Sequence, residues 1–205
     1  MKIDQGLFTF IIALAAIING LGIVRIVSGL GEYVRYREAS SISNYWTYLM
    51  LALFQLLAHV LIWWSMVGLR EIDSINFLQY LYLLLGPTLL FLATSLLIPD
   101  ISNESVDLRA EYRRLRKPYY SMMAVFWVWV IAIWPVFGYP LAPSWKFAAC
   151  WLAIMAILRM TENERVHATL VSVIWLLLIA FIAMYALQLG HMSQLMNQSN
   201  SVGML

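Results

Sequence analysis

Charge is what this 205-residue chain has least of: Asp, Glu, Lys and Arg make up 12% of it, against roughly 25% in a soluble domain. With 62% hydrophobic residues, it cannot clothe a globular surface in polar groups and belongs to the membrane class. Its one cysteine, Cys150, sits in an apolar run, which excludes an internal disulfide and any cysteine-held metal cluster. No P-loop, H-E-x-x-H, G-x-S-x-G, Asp-rich metal motif or TVGYG filter occurs, so phosphoryl transfer, zinc proteolysis and serine hydrolysis have no anchor. Histidine is scarce as well. Only His59 falls at membrane depth; His167 and His191 flank the last apolar run. This chain alone cannot hold a haem between two histidines at matching depth, so a haem or quinone enzyme is disfavoured, and nothing beside His59 completes a divalent-metal site. No enzyme activity, cofactor, metal or nucleic-acid partner is expected.

What the chain does have is apolar runs of bilayer length, a spanning helix needing about 20 residues. They cover residues 7–26, 45–69, 77–98, 119–137, 145–160 and 166–187, the fifth being short. No charged n-region precedes the first run beyond Lys2 and Asp4, so it reads as a span and not as a cleaved leader. The expected fold is all-α: a polytopic bundle of six transmembrane helices in one domain. Three helices followed by three would also allow two inverted halves, a transporter device.

Helical character continues past the first run to residue 38, and Gly22, Arg25, Gly29 and Glu32 fall on one side of that extension. Small residues at this spacing admit a neighbouring helix. Arg25 then has two readings: a side chain snorkelling to headgroups, or one held against a helix by Glu32 or a backbone carbonyl. In the second run Gln55 and His59 lie four apart on one face, which the helical period extends to Tyr48, Trp63 and Arg70. Lipid offers polar groups no partners, so this line faces protein or water. Gly86–Pro87 mid-way through the third run is a kink and a candidate gating bend. Trp63, Trp127 and Trp129 lie deeper than the other indoles, most of which sit in interfacial belts.

Residues 100–117 form the longest polar segment, with a helix expected over about 104–117. Leu108, Tyr112 and Leu115 recur at i, i+4, i+7, so an amphipathic helix lying on the membrane is expected. Its Arg109, Arg113, Arg114, Arg116 and Lys117 then face anionic lipid headgroups. Thr161 and Glu164 read as a capping box for the last helix, and residues 190–205 as a polar tail. The basic residues of the odd-numbered connections are Arg25, Arg35, Arg37, Arg109, Arg113, Arg114, Arg116, Lys117, Arg159 and Arg165, against Lys2, Arg70 and Lys146 on the other side. The positive-inside rule then puts both termini outside.

Several unlike stretches, taken in order, resemble an uncharacterised family of bacterial integral inner-membrane proteins. They are GLGIVRIVSGL (20–30), the NYW opening of the second run, Gln55…Trp63–Trp64…Arg70, LLLGP…LLIPD in the third run, and DLRAEYRRLRKPYY (107–120). The resemblance covers about residues 10–125 and implies a bacterial inner-membrane location; it carries no activity. Two function classes stay open, and the first is favoured because no catalytic set exists and the polar line is central. One is a channel or transporter for a small ion or solute, with Asn19, Gln55, His59, Thr88 and Ser172 converging on a path. The other is a non-catalytic structural or lipid-binding subunit of a membrane complex, in which those residues are buried one by one in helix contacts. A homo-oligomer is expected in either case.

Overall fold

The computed structural model describes residues 5–36, 45–67, 74–99 and 107–187. Arg37, Arg70, residues 104–106, His191 and the tail from 190 lie outside the described residues. Among the described residues there is no strand. Six helices follow one another: α1 (Gln5–Tyr36), α2 (Trp46–Ser65), α3 (Phe77–Leu97), α4 (Leu108–Val136), α5 (Trp145–Met160) and α6 (Glu164–Phe181), which runs into a π-helical turn, Ile182–Ala186. Five are long and apolar enough to cross a membrane. The sixth, α5, has 16 residues and is about 24 Å long, short of a hydrocarbon core of roughly 30 Å.

Helix boundaries follow local chemistry. α1 continues through Gly22 and Gly29 as one 32-residue helix. α3 opens on a reciprocal cap in which Asn76 Oδ1 accepts from the Gln79 amide at 2.9 Å and Gln79 Oε1 accepts from the Asn76 amide at 3.0 Å. This satisfies two N-terminal donors at once. At α6 the expected Thr161–Glu164 box gives way to Asn163, whose side chain accepts from the Arg165 amide at 3.0 Å. Asparagine is as strong a cap as threonine and stands directly before the first helical residue.

The expected surface helix is corrected. Residues 108–136 form one helix, capped by Asp107, and the segment before Pro118 is its first three turns. Proline costs a helix one hydrogen bond, and the fully buried Tyr119 and Tyr120 beside it hold the helix through that point. Of the expected stripe, Leu108 and Tyr112 are buried within the protein and Leu115 is half-buried.

Polar contacts fix the directions of the helices. Arg109 and Arg113 reach Glu164 and Arg116 reaches Glu162; Arg159 donates to Ser121; and Arg25 reaches the carbonyl of Ile98. One end of the bundle therefore gathers the start of α4 and α6 and the end of α3 and α5. The helices alternate up and down. α2 is the axis, packed by α1, α3, α4 and α6, while α4 lies mainly along α3 and α5. α1 buries Ala15, Asn19, Gly22, Ile26, Gly29 and Tyr33, steps of four and three that keep one seam turned inward. α1 packs along α3, and α4 meets α6 through side chains at the basic end.

Candidate functional site

Midway along α2 the polar line becomes a network. The Asn19 amide nitrogen donates to the His59 carbonyl at 3.1 Å, which leaves Asn19 Oδ1, an acceptor only, facing His59 Nδ1 at 2.8 Å. Nδ1 therefore carries the proton. Nε2 is then an acceptor and takes the Thr94 hydroxyl at 2.9 Å. Thr94 Oγ in turn accepts from Gln55 Nε2 at 3.1 Å, and the same nitrogen donates to the Leu90 carbonyl at 3.1 Å. Finally Tyr119 donates its hydroxyl to Gln55 Oε1 at 3.1 Å.

This chain ties α1, α2, α3 and α4 together, its side-chain-to-side-chain bonds running one way from Tyr119 to Asn19 and the Asn19 amide donating back to the His59 carbonyl. Gln55, His59 and Thr94 are 0% exposed and Asn19 is 2%. Every side-chain nitrogen and oxygen in it has a partner, as an interior without water demands. A second proton on the His59 ring would meet an oxygen whose own hydrogen already points at that nitrogen. Glycine creates the space, since a Cβ at Gly22 would overlap the imidazole.

The expected path residues divide. Asn19, Gln55 and His59 come together, but Thr88 and Ser172 do not. The Thr88 hydroxyl donates to the Leu84 carbonyl and that of Ser172 to Ala168, each within its own helix. Trp63 is 45% exposed and leaves the line. Thr94 and Tyr119 take their places. Thr94 could have been sought one turn beyond Leu90 on the buried stripe of α3; Tyr119 carried no signal beyond its place after Pro118.

The α1 glycines serve packing. Gly29 leaves room for the Ile98 side chain, and one turn away Arg25 Nη2 donates to the Ile98 carbonyl at 2.9 Å. That carbonyl ends α3, where cations are favoured, so of the two readings of Arg25 the backbone partner is the one seen. Glu32 is half-buried further along α1. Gly86 likewise seats the Trp129 ring, whose Nε1 donates to the Tyr82 carbonyl at 2.8 Å while Tyr82 donates back to the Trp129 carbonyl at 3.0 Å. Gly86–Pro87 is thus a clasp between α3 and α4, and α3 passes through it unbroken.

A second polar cluster lies at the basic end. His167 Nε2 donates to the Thr161 carbonyl at 3.1 Å, so its Nδ1 accepts from Tyr112 at 2.6 Å, and Tyr112 accepts from Tyr120 at 2.7 Å. Around it the basic residues of α4 dock on protein. Arg109 and Arg113 pair with Glu164, Arg114 with Glu111, and the buried Arg116 with Glu162 and the Thr161 carbonyl. Arg109, Arg113 and Arg116 thus also meet acidic residues of the α5–α6 region, while Arg109, Arg113, Arg114 and Lys117 stay exposed. A cavity of about 330 Å³ opens among Tyr45, Tyr112, Arg113, Arg116, Glu162, Glu164 and His167.

A third feature lies toward the opposite end, where α2, α4, α5 and α6 line a mainly apolar, partly open cleft of about 160 Å³. No family model, no curated protein and no solved structure matches the chain.

Proposed function

We propose that the protein is a non-catalytic component of a bacterial inner membrane: a six-span scaffold, not a conduit, with both termini outside. The observation that carries this reading is the closure of the Asn19–His59–Thr94–Gln55–Tyr119 network. A permeation path needs polar groups that can leave their protein partners for a passing ion or water. Here each one is committed to another side chain or a backbone carbonyl. Such a network specifies which helices meet, in a medium where apolar packing does not choose between them. The six-span count follows the alternation of the helices, which carries the short α5 from one end of the bundle to the other. The orientation follows the gathering of arginines at a single end. The inner-membrane location rests on the resemblance of residues 10–125.

The test uses purified protein in liposomes under K⁺, Na⁺ and proton gradients, alongside unfolding in mixed detergent. No flux above that of empty liposomes is expected. His59→Leu should lower stability by about 1–3 kcal/mol, because Asn19 and Thr94 lose a buried partner, and His59→Gln should cost less. Flux that His59→Leu abolishes without loss of stability would restore the permeation reading.

A further inference from the structure

The basic-end cavity keeps charged groups that the protein does not use up. Arg113 and Arg116 of α4 and Glu162 and Glu164 of the α5–α6 region line the same space of about 330 Å³. That volume is at the lower end of small-molecule pockets, roughly 300–1,000 Å³. Glu164 is spent, one oxygen on Arg109 and the other on Arg113. Arg116 is buried and is held by Glu162 and the Thr161 carbonyl. Arg113 is not spent: its side chain is 61% exposed and gives one N–H to Glu164, out of the five that a guanidinium carries. Nor is Glu162, 81% exposed, whose Oε1 takes Arg116 while Oε2 has no partner among the described residues. His167 and Tyr112 offer the space little, since both ring nitrogens and the phenol are already bonded within the protein.

We propose that this cavity binds a phosphodiester joined through two carbons to a primary ammonium, the headgroup of an aminophospholipid, with the phosphate on Arg113 and the ammonium on Glu162. Charge of both signs in one space selects a zwitterion: an anion alone would meet Glu162 and Glu164, and a cation alone would meet the arginines. A guanidinium fork matches phosphate oxygens in pairs. The open Glu162 oxygen is an acceptor only, so the cation must bring N–H groups, which a quaternary ammonium lacks. The position agrees. The cavity lies at the end of the bundle where α4 and α6 begin and the arginines gather, the level of the lipid headgroups. The same chemistry is carried by a lipid or by free glycerophosphoethanolamine in water, and the test separates the two. The site rests on the reading of the chain as a membrane bundle, not on the choice between scaffold and conduit, which the flux assay decides by itself.

The test titrates dihexanoylphosphatidylethanolamine into the purified full chain in a maltoside detergent. The choline and glycerol lipids of the same tail length and free glycerophosphoethanolamine serve as comparisons. Binding is read by calorimetry and by the shift in thermal unfolding. Saturable binding of the ethanolamine lipid is expected, about 3–10-fold tighter than that of either other lipid. Glycerophosphoethanolamine that binds as tightly as the lipid makes the soluble compound the source; weaker binding of it makes the lipid the source. Arg113→Gln should weaken all the lipids. Glu162→Gln should weaken the ethanolamine lipid about 3–10-fold and leave the glycerol lipid unchanged or tighter, a split that mere loss of structure does not produce. Both residues are exposed, so neither change touches the core. No saturation by the ethanolamine lipid would overturn the proposal. So would equal affinity for the choline lipid, tighter binding of the glycerol lipid, or an unchanged ethanolamine preference in Glu162→Gln.

Discussion

Two adjacent residues of α4, Tyr119 and Tyr120, open onto two histidine networks that share residue types and differ in everything else. Tyr119 leads through Gln55 and Thr94 to His59 and Asn19. Tyr120 leads through Tyr112 to His167. The first is sealed, uncharged and spread over four helices; the second is ringed by arginines and glutamates and borders a cavity of about 330 Å³. Even the tautomers are opposite, with Nδ1–H at His59 and Nε2–H at His167, each set by the carbonyl or amide oxygen that the ring nitrogen must serve. A histidine in a membrane bundle is therefore not in itself a sign of transport. What matters is whether its partners are spoken for and whether solvent can replace them.

The largest effect expected from this contrast is at Gly22. Gly22→Val would drive a branched side chain into the space of the His59 ring, and overpacking of that kind costs about 1–3 kcal/mol, with the loss of the network added. The diagnostic is a double-mutant cycle in mixed-detergent unfolding. In a His59→Ala background the ring is gone, so Gly22→Val should cost far less, a coupling of about 1–2 kcal/mol. Strictly additive effects would mean that Gly22 does not seat the imidazole.

How much of this was legible in the sequence depends on distance along the chain. Gln55 and His59 could be paired because four residues of helix put them on one face. Extending the line by another four to Trp63 failed, because each such step turns the helix by about 40°, and two steps carry the side chain off the buried face. The face instead passes through Ile62 and Met66. Arg25 and the α1 glycines were visible as a helix-packing pattern, but not the Ile98 carbonyl that Arg25 holds. Thr94 and Tyr119 were out of reach, since nothing local says that α3 and α4 meet α2 at Gln55. The same gap explains the basic segment. Its amphipathic period was correct, but the periodicity of one helix does not tell lipid from a second helix as the surface its stripe covers. Tyr45 and His167, the latter 55 residues away, meet the Tyr112 of that stripe, and Glu162 and Glu164 take its flanking arginines.

A middle-sized effect sets the two networks directly against each other. The Tyr112 hydroxyl makes two hydrogen bonds and that of Tyr119 makes one, so a count of bonds predicts that Tyr112→Phe is the worse change. Solvation predicts the reverse. Beside the basic-end cavity water can step in for the lost hydroxyl at little cost, whereas Tyr119→Phe leaves Gln55 Oε1 buried without a donor, a penalty of about 1–3 kcal/mol. Tyr119→Phe should therefore lower stability more than Tyr112→Phe, by about 1 kcal/mol. The opposite order would show that the basic-end network is the tighter of the two and would break the contrast.

The smallest effects should come from Thr88 and Ser172, and their smallness is informative. Both hydroxyls donate to carbonyls one turn back on their own helix, Leu84 at 2.8 Å and Ala168 at 3.1 Å. Those carbonyls also accept from the helix backbone, so losing the hydroxyl leaves nothing unsatisfied. Thr88→Val keeps the branched shape and Ser172→Ala removes only an oxygen. Each should change stability by less than about 0.5 kcal/mol, the range of substitutions away from any special feature. In combination with His59→Leu the effects should simply add, because neither residue shares a partner with the network. A common path through Asn19, Gln55, His59, Thr88 and Ser172 predicts otherwise, since residues lining one hydrated channel are coupled through the water between them. Coupling above about 0.5 kcal/mol between Thr88→Val and His59→Leu would therefore show that water reaches both, and would reopen the interior that the closed network leaves sealed.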